Sequence, residues 1–397
     1  MKRVTAATLA VGTEVTDGQI TDRNSAWISE RLVQAGFEVV EHRAVPDEHA
    51  AIERALSELA SRVDYFFVTG GLGPTSDDFT RDLIAKAFGR ALEFDPGSWT
   101  HLSQLLLSRG ITVREIQRQQ CFFPQGARVL TNPAGTANAF TLAVELAGKT
   151  VHVYALPGPP TEIAAVWQAH IAGEIEKVVP PENREQLSIV RCLGRGESQI
   201  AEVVEGIVKG TGLRVGYRAS MPYVEVKLWY QPSQNEEAMK ILAAIEAALK
   251  KWVIGRDDDD LADILLDRLV TPRRSLKILD HATCGVLQER LALRLRERGL
   301  FVDLVVETNF SVAMLPSLPL AATAGPQQAG FAASFAASLT VYLTVDEREN
   351  LWRLIFLTPD GKATTFEERP VFKYKVSSER GRRYITERCL VLLAGRF

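Results

Sequence analysis

Residues 68–82 read VTGGLGPTSDDFTRD. An apolar run, DYFFVTGG (64–71), leads into closely spaced glycines, then two adjacent carboxylates, then FTRDLIAKAFG (79–89), which has helical periodicity. Strand, glycine turn and helix in this order make a phosphate-binding loop, in which backbone N–H groups and the positive end of the helix face an anion. Gly70, Gly71 and Gly73 are the candidate cradle, with Thr75 and Ser76 as candidate phosphate donors. Asp77 and Asp78 do not fit simple anion capture, because a bare carboxylate repels a phosphate by several kcal/mol at short range and intermediate dielectric. A divalent cation between them reverses the sign: a magnesium-type ion takes one or two carboxylates together with water and phosphate oxygens. The competing reading is local. Ser76 or Asp77 is a good helix N-cap, and Gly-Pro is a common turn. Both readings stand at this level.

Working outward, the first 170 residues alternate strand and helix. TAATLAVG (5–12), EVVEHRAV (38–45), DYFFVTGG and TVHVYALPGPP (150–160) read as strands. NSAWISERLVQAGF (24–37) and DEHAAIERALSELASRV (47–63) carry a 3.6-residue apolar period and helix-start residues. The alternation predicts an α/β fold with a doubly wound, mostly parallel sheet and helices on both faces. Loops that follow parallel strands emerge at one sheet edge, where ligands of open α/β sheets bind. GTEVTDGQ (12–19), VPD (45–47), GGLGPTSDD (70–78) and PGPPTE (157–162) therefore bring Glu14, Asp17, Asp47, Asp77 and Asp78 towards one place.

Beyond VPPENRE (179–185), read as a linker, the pattern changes to a small α+β module, and GRDDDDLAD (255–263) marks a second boundary, its four aspartates read as a solvated edge. The expected domains are 1–178, 179–256 and 257–397. The chain has 397 residues and a net charge of −3, which does not favour nucleic acid as a partner. Its four cysteines are far apart, without a CxxC pair, and read as reduced thiols of a cytoplasmic protein. The N-terminal apolar run is short and reads as a first strand rather than a signal peptide. No run reaches the roughly 18 apolar residues a membrane helix needs.

VGTEVTDGQITDRNSAWISERL, VPDEHAAIERAL, VTGGLGPTSDDFTRD, NPAGTANAF and LPGPPTE resemble, in order, the motifs of the competence/damage-inducible protein A (CinA) family. The first domain of that family is similar to molybdopterin-binding, MoaB/gephyrin-like domains, and LGRGESQIAEVVEGI resembles its KH-like middle module. GRGE lacks the GXXG clamp of a nucleic-acid-binding KH domain, so this module is read as a spacer or dimerisation unit. The resemblance implies an ADP-ribose pyrophosphatase dependent on a divalent ion of the Mg, Mn or Co class, releasing AMP and ribose 5-phosphate. Asp77 and Asp78 are then metal or water-positioning residues, with Asp47 and Glu14 as further metal candidates. Asn24 and Asn132 are candidates for reading ribose or base, and equally a helix cap and a turn residue. A homodimer through the middle or last domain is expected, with no membrane partner. The alternative is a non-catalytic nucleotide- or molybdopterin-binding scaffold accessory to competence or DNA repair.

The last region departs from the family. Where a nicotinamide mononucleotide (NMN) deamidase start reads AESCTGG, this chain has DHATCGV (280–286), with Ala282 at the catalytic serine, His281 at the glutamate and Val286 at the second glycine. ETNFSV (307–312) puts Glu307 at the family's tyrosine and Val312 at its lysine. ATAGP (322–326) and AASLTVY (336–342) are reduced forms of further motifs. Alanine and valine supply neither nucleophile nor activator. The expectation is a folded, degenerate deamidase-like domain without deamidase activity. Thr283 is the nearest hydroxyl, one residue along, and His281 beside Cys284 is read as incidental.

Overall fold

The computed structural model describes residues 3–270, 275–300, 302–308, 339–358, 362–370 and 374–396. The chain divides into two compact units, Met1–Glu185 and Gln186–Phe397.

Unit 1 is built on a six-stranded sheet of order β2-β1-β3-β8-β7-β6, where β1 is Thr5–Val11, β2 Glu38–Val45, β3 Tyr65–Thr69, β6 Arg128–Leu130, β7 Ala139–Leu146 and β8 Lys149–Leu156. A short separate pair, β4 (Leu92–Phe94) and β5 (Phe122–Pro124), lies between them in the chain. β1, β2, β3 and β8 run parallel, as the alternating pattern requires. β7 runs antiparallel to both of its neighbours, β8 and β6. The cause is the two-residue connection Ala147–Gly148, whose φ values of 49° and 79° make a tight hairpin and leave β7 no choice of direction. The adjacent Phe66 and Phe67 of β3 point to opposite faces. Phe66 packs with Ile52, Leu56, Leu59 and Leu83, from the helices His49–Arg62 and Thr80–Ala87. Phe67 packs with Ile28, Leu32, Ile163 and Trp167, from Arg23–Gln34 and the helical stretch that begins at Pro160. The chain moves from β1 to β2 on one side and then to β3 on the other, so the strand order reverses at β1. That is the switch point where a crevice opens beyond the strand ends.

VPPENRE belongs to unit 1: Val179 is in its core, Pro181–Asn183 forms a 3-10 turn, and Arg184 Nε donates to Val179 O at 2.9 Å. Among the described residues, unit 2 contains two sheets and two cores. The first sheet has order β10-β11-β9-β12, with β9 Gln186–Leu193, β10 Arg214–Ser220, β11 Tyr223–Tyr230 and β12 Val253–Arg256, and is backed by Glu197–Val208 and Asn235–Ala248. The second has order β14-β13-β15-β16-β17, with β13 Ser275–Asp280, β14 Asp303–Thr308, β15 Leu339–Asp346, β16 Leu351–Leu357 and β17 Ala363–Glu368. Its core joins the helices Leu261–Val270, Val286–Arg298 and Glu379–Arg396. The aspartate run at 257–260 is not a purely solvated edge. Asp257 Oδ1 accepts from Ile189 N at 2.7 Å, Asp259 Oδ2 from Arg256 N at 2.9 Å, and Asp260 pairs with Arg290 at 2.7 Å. Local repulsion is offset by backbone donors and an arginine that only the fold brings near.

Candidate functional site

A cleft of about 960 Å³ opens at the switch point. Its walls come from the ends of β1 (Ala10, Val11), β3 (Thr69 to Pro74) and β8 (Pro157 to Pro160), with further residues after β2 and before β7. The four acidic loops of the sequence therefore do meet: Glu14, Asp47, Asp77 and Asp78 all line the cleft, whereas Asp17 does not.

The glycine turn is shaped first by packing. Gly70 and Gly71 have φ of +95° and +66°, and a Cβ at either would overlap Val11 O or the Thr80 hydroxyl. A Cβ at Gly73 would overlap the Asp78 carboxylate. Gly70 is no anion donor, because its N–H donates to Leu156 O at 3.1 Å. Below the turn lies Arg81, 2% exposed, donating to Leu72 O at 2.5 Å and Gly73 O at 3.2 Å. Burial lowers its pKa, against the pull of Asp82 and Asp78. This buried guanidinium draws the loop carbonyls inward, away from the cleft. Nothing in the periodicity of TRDL distinguishes it from a surface arginine.

The two aspartates have different tasks. Asp78 Oδ2 accepts from Thr75 N at 2.9 Å and the Thr75 hydroxyl at 2.5 Å, closing the TSDD turn (75–78). Thr75 is thereby committed to the turn, and neither it nor Ser76 is among the lining residues. Asp77 is exposed, and Thr75 together with its own backbone N–H holds its carboxyl below the ordinary aspartate value. Neither Ser76 nor Asp77 caps the helix, which starts at Thr80 with Phe79 before it and no side-chain cap. Across the cleft, Asp47 Oδ2 accepts from Thr13 N at 2.8 Å, and Asp47 N donates to the Thr13 hydroxyl at 3.1 Å. This reciprocal pair joins the loops after β1 and β2.

Asn24 lines the cleft and donates to Gly158 O at 2.8 Å; the cap of its helix is Asp22, which accepts from Ser25 N. Asn132 is fully buried. Its Oδ1 accepts from Ala134 N and Gly135 N, and its Nδ2 donates to Ala137 O and Glu162 Oε2. It is the organiser of the NPAGTAN turn and has no hydrogen bond left for a ribose or base. Several lining residues are not singled out in the sequence, Glu162 and Gln120 among them. Glu162, in LPGPPTE, is a half-buried carboxylate oriented by Asn132 at 2.7 Å. Gln120, in an unremarkable REIQRQQ stretch, is 2% exposed.

All the acidic groups lining the cleft offer carboxylate oxygens, the donor type of hard divalent ions. Among the described residues no three of His, Cys, Asp and Glu are grouped to hold a metal. A divalent ion held here would take one or two ligands from the chain and the remainder from water and a phosphate.

In unit 2, Ala282 is 4% exposed, and the buried Thr283 hydroxyl pairs with Asp280 and accepts from Leu287 N at 3.1 Å. Neither presents a free nucleophile. Val312, ATAGP and the start of AASLTVY lie outside the described residues. Burial pushes the Cys121 and Cys192 thiols up to about 11 and about 12, while Cys284 is exposed. Among the described residues no helix is long and apolar enough to cross a membrane.

The family profile of the probable molybdopterin binding domain matches residues 7–177. The chain is 32% identical over 296 residues to a putative competence-damage inducible protein of Alkaliphilus metalliredigens, covering 72% of this chain and 69% of that one. It is 30% identical over 293 residues to the corresponding protein of Lysinibacillus sphaericus, with the same coverages, and 30% identical over 288 residues to a CinA-like protein of Prochlorococcus marinus, covering 71% and 66%. The chain belongs to the CinA-like, competence-damage inducible family. The crystal structure of the protein CinA with unknown function from Thermoplasma acidophilum, 29% identical, aligns over 44% of this chain and 98% of that one, with a TM-score of 0.39.

Proposed function

We propose that unit 1 is a metal-dependent hydrolase that cleaves the diphosphate of ADP-ribose to AMP and ribose 5-phosphate. The observation that carries this reading is the convergence of Glu14, Asp47, Asp77 and Asp78 on one cleft beside a glycine turn. A scaffold that only bound an anion would gain nothing from surrounding it with carboxylates. A volume of about 960 Å³ is at the upper end for ligand pockets and suits a dinucleotide-sized molecule. A divalent ion of the Mg, Mn or Co class, when bound, polarises the phosphoryl oxygens and lowers the pKa of bound water. One or two of Asp77, Asp47, Glu14 and Asp78 would hold it, Asp78 only through the oxygen its turn leaves over. Water adds across the P–O–P bridge: its oxygen joins one phosphorus, and the bridging oxygen leaves with the other.

The test is AMP release from ADP-ribose with and without divalent ions, for wild type and the double variant Asp77→Ala/Asp78→Ala. Metal-dependent AMP that is lost in the double variant is expected. No AMP with any of the three ions overturns hydrolysis.

A second reading is a non-catalytic nucleotide- or molybdopterin-binding scaffold. It is favoured by the missing three-ligand group among the described residues and by the commitment of Asp78 to its turn. It predicts binding without product. For unit 2 we propose loss of NMN deamidase activity, supported by the buried Ala282 and the engaged Thr283 hydroxyl; ammonia release from NMN would refute it.

A further inference from the structure

Gln120 sits in a 3-10 turn, Glu115–Cys121, anchored on both sides. Gln119 Nε2 donates to Thr75 O at 3.2 Å, tying the turn to the glycine loop. Cys121 is buried with Leu102 and Leu106, and its carbonyl accepts from Asp95 N at 2.7 Å. Gln120 is therefore held in place. It lines the cleft at 2% exposure, yet its Oε1 has no hydrogen-bond partner among the described residues. A buried carbonyl oxygen that has lost water and gained no donor is destabilising, and such atoms in folded proteins call for a missing partner.

The chemistry of that partner follows from the surroundings. Glu14, Asp47, Asp77, Asp78 and Glu162 line the same cleft and are acceptors when ionised. An ionised diphosphate also offers only acceptors. The cleft is also lined by donors, Arg23 and Asn24 among them, but none of them bonds Oε1, which leaves an N–H or O–H on the uncharged part of the ligand as its partner. We propose that Gln120 is a specificity-determining residue that hydrogen-bonds a neutral donor, a sugar hydroxyl or a base amine, of the nucleoside portion. This rests on the reading of the cleft as a diphosphate-linked nucleotide site. Pockets that hydrogen-bond a ligand group discriminate strongly against ligands lacking it, because the buried polar atom is then left unpaired.

The experiment is calorimetric binding of AMP, ribose 5-phosphate and inorganic pyrophosphate, with divalent ion present, to wild-type full chain and Gln120→Met, which keeps the length of the side chain without its amide. Affinity for AMP is expected to fall about 10- to 100-fold, the range of one lost buried hydrogen bond, with pyrophosphate unchanged. A parallel fall for ribose 5-phosphate assigns the donor to a sugar hydroxyl, and none assigns it to the base. An equal fall for pyrophosphate overturns the proposal, since the amide then serves phosphate, and so does no fall for any probe. Wild type that binds pyrophosphate but no nucleoside probe, or none of the three, also overturns it. Gln120-dependent AMP binding without turnover of ADP-ribose overturns hydrolysis and leaves the proposal standing. Gln120→Glu keeps both shape and acceptor and guards against misfolding of the Met variant. Its ratio of AMP to pyrophosphate affinity should stay near wild type, and a tenfold lower ratio counts against the proposal.

Discussion

The turn after β3 and the turn after β13 have the same local grammar. Each follows a strand with parallel neighbours on both sides, has an aspartate and a glycine at or beyond the strand's end, and enters a helix. They end in opposite states. After β13, Asp280 turns inward: it is 1% exposed and accepts from Ala282 N, Thr283 N and the Thr283 hydroxyl. After β3, the inward position belongs to a cation, Arg81, which takes the loop carbonyls. Asp77 is left exposed on the wall of a cleft. Where a cation takes part in holding the turn, a carboxylate remains on the cleft wall; where the aspartate alone takes the turn's donors, it is buried.

The largest effect expected is at Gly71. Alanine there meets the Thr80 hydroxyl at a left-handed φ, so strain and overlap together cost about 3 kcal/mol. Gly285, at φ +91° with no atom near its missing Cβ, is the matched control at about 1 kcal/mol. Local hydrogen exchange of peptides spanning 65–90 and 275–300 measures both; equal costs would break the contrast. Arg81→Met comes next. It leaves the carbonyls of Leu72 and Gly73 without a buried donor, at about 2–3 kcal/mol, and the 65–90 peptides should exchange tens of times faster. Asp78→Asn should cost about 1 kcal/mol through the TSDD turn, whereas Asp77→Asn, at an exposed carboxylate, should cost clearly less. A stability loss at Asp77 of the same size would show that both carboxylates serve the turn.

The smallest effect concerns pH. His152 stacks on Tyr65 with ring centroids 4.4 Å apart, and burial lowers its pKa, against the pull of Asp64 and Glu145. The native state therefore favours the neutral ring, while the unfolded chain binds a proton near the ordinary value of about 6.5. Its stability contribution is complete above that value and declines as pH falls from there towards the lower native pKa. His152→Gln should flatten this part of the unfolding profile; an unchanged slope would remove His152 as its source.

Much of unit 1 was legible in the sequence, and for definite reasons. EVVEHRAV is a strand over Glu38–Val45 because its branched residues and flanking breakers suit nothing else. The apolar stripe of HAAIERALSELASR makes a helix over His49–Arg62. Parallel order then brings the loops to one edge, where Glu14, Asp47, Asp77 and Asp78 line the cleft and Asp17, expected there with them, does not. The direction of β7 was also written in the chain, in ELAGKT, but as turn chemistry rather than apolar periodicity.

What the sequence by itself determined is what depends on near neighbours: period, breakers, turns and the side of the sheet on which loops emerge. It could not assign tasks to the polar residues within those loops. Asn132 and Asp78 resembled ligand-reading groups but hold their own turns, Gly70 resembled an anion donor but gives its N–H to β8, and Arg81 and Gln120 drew no notice. The physical reason is that a hydrogen-bonding group becomes available only when nothing else satisfies it. Most of those competing partners come from elsewhere in the chain: Leu156 for Gly70, Glu162 for Asn132, and for Gln120 none among the described residues. Only the tertiary structure decides which of them arrive.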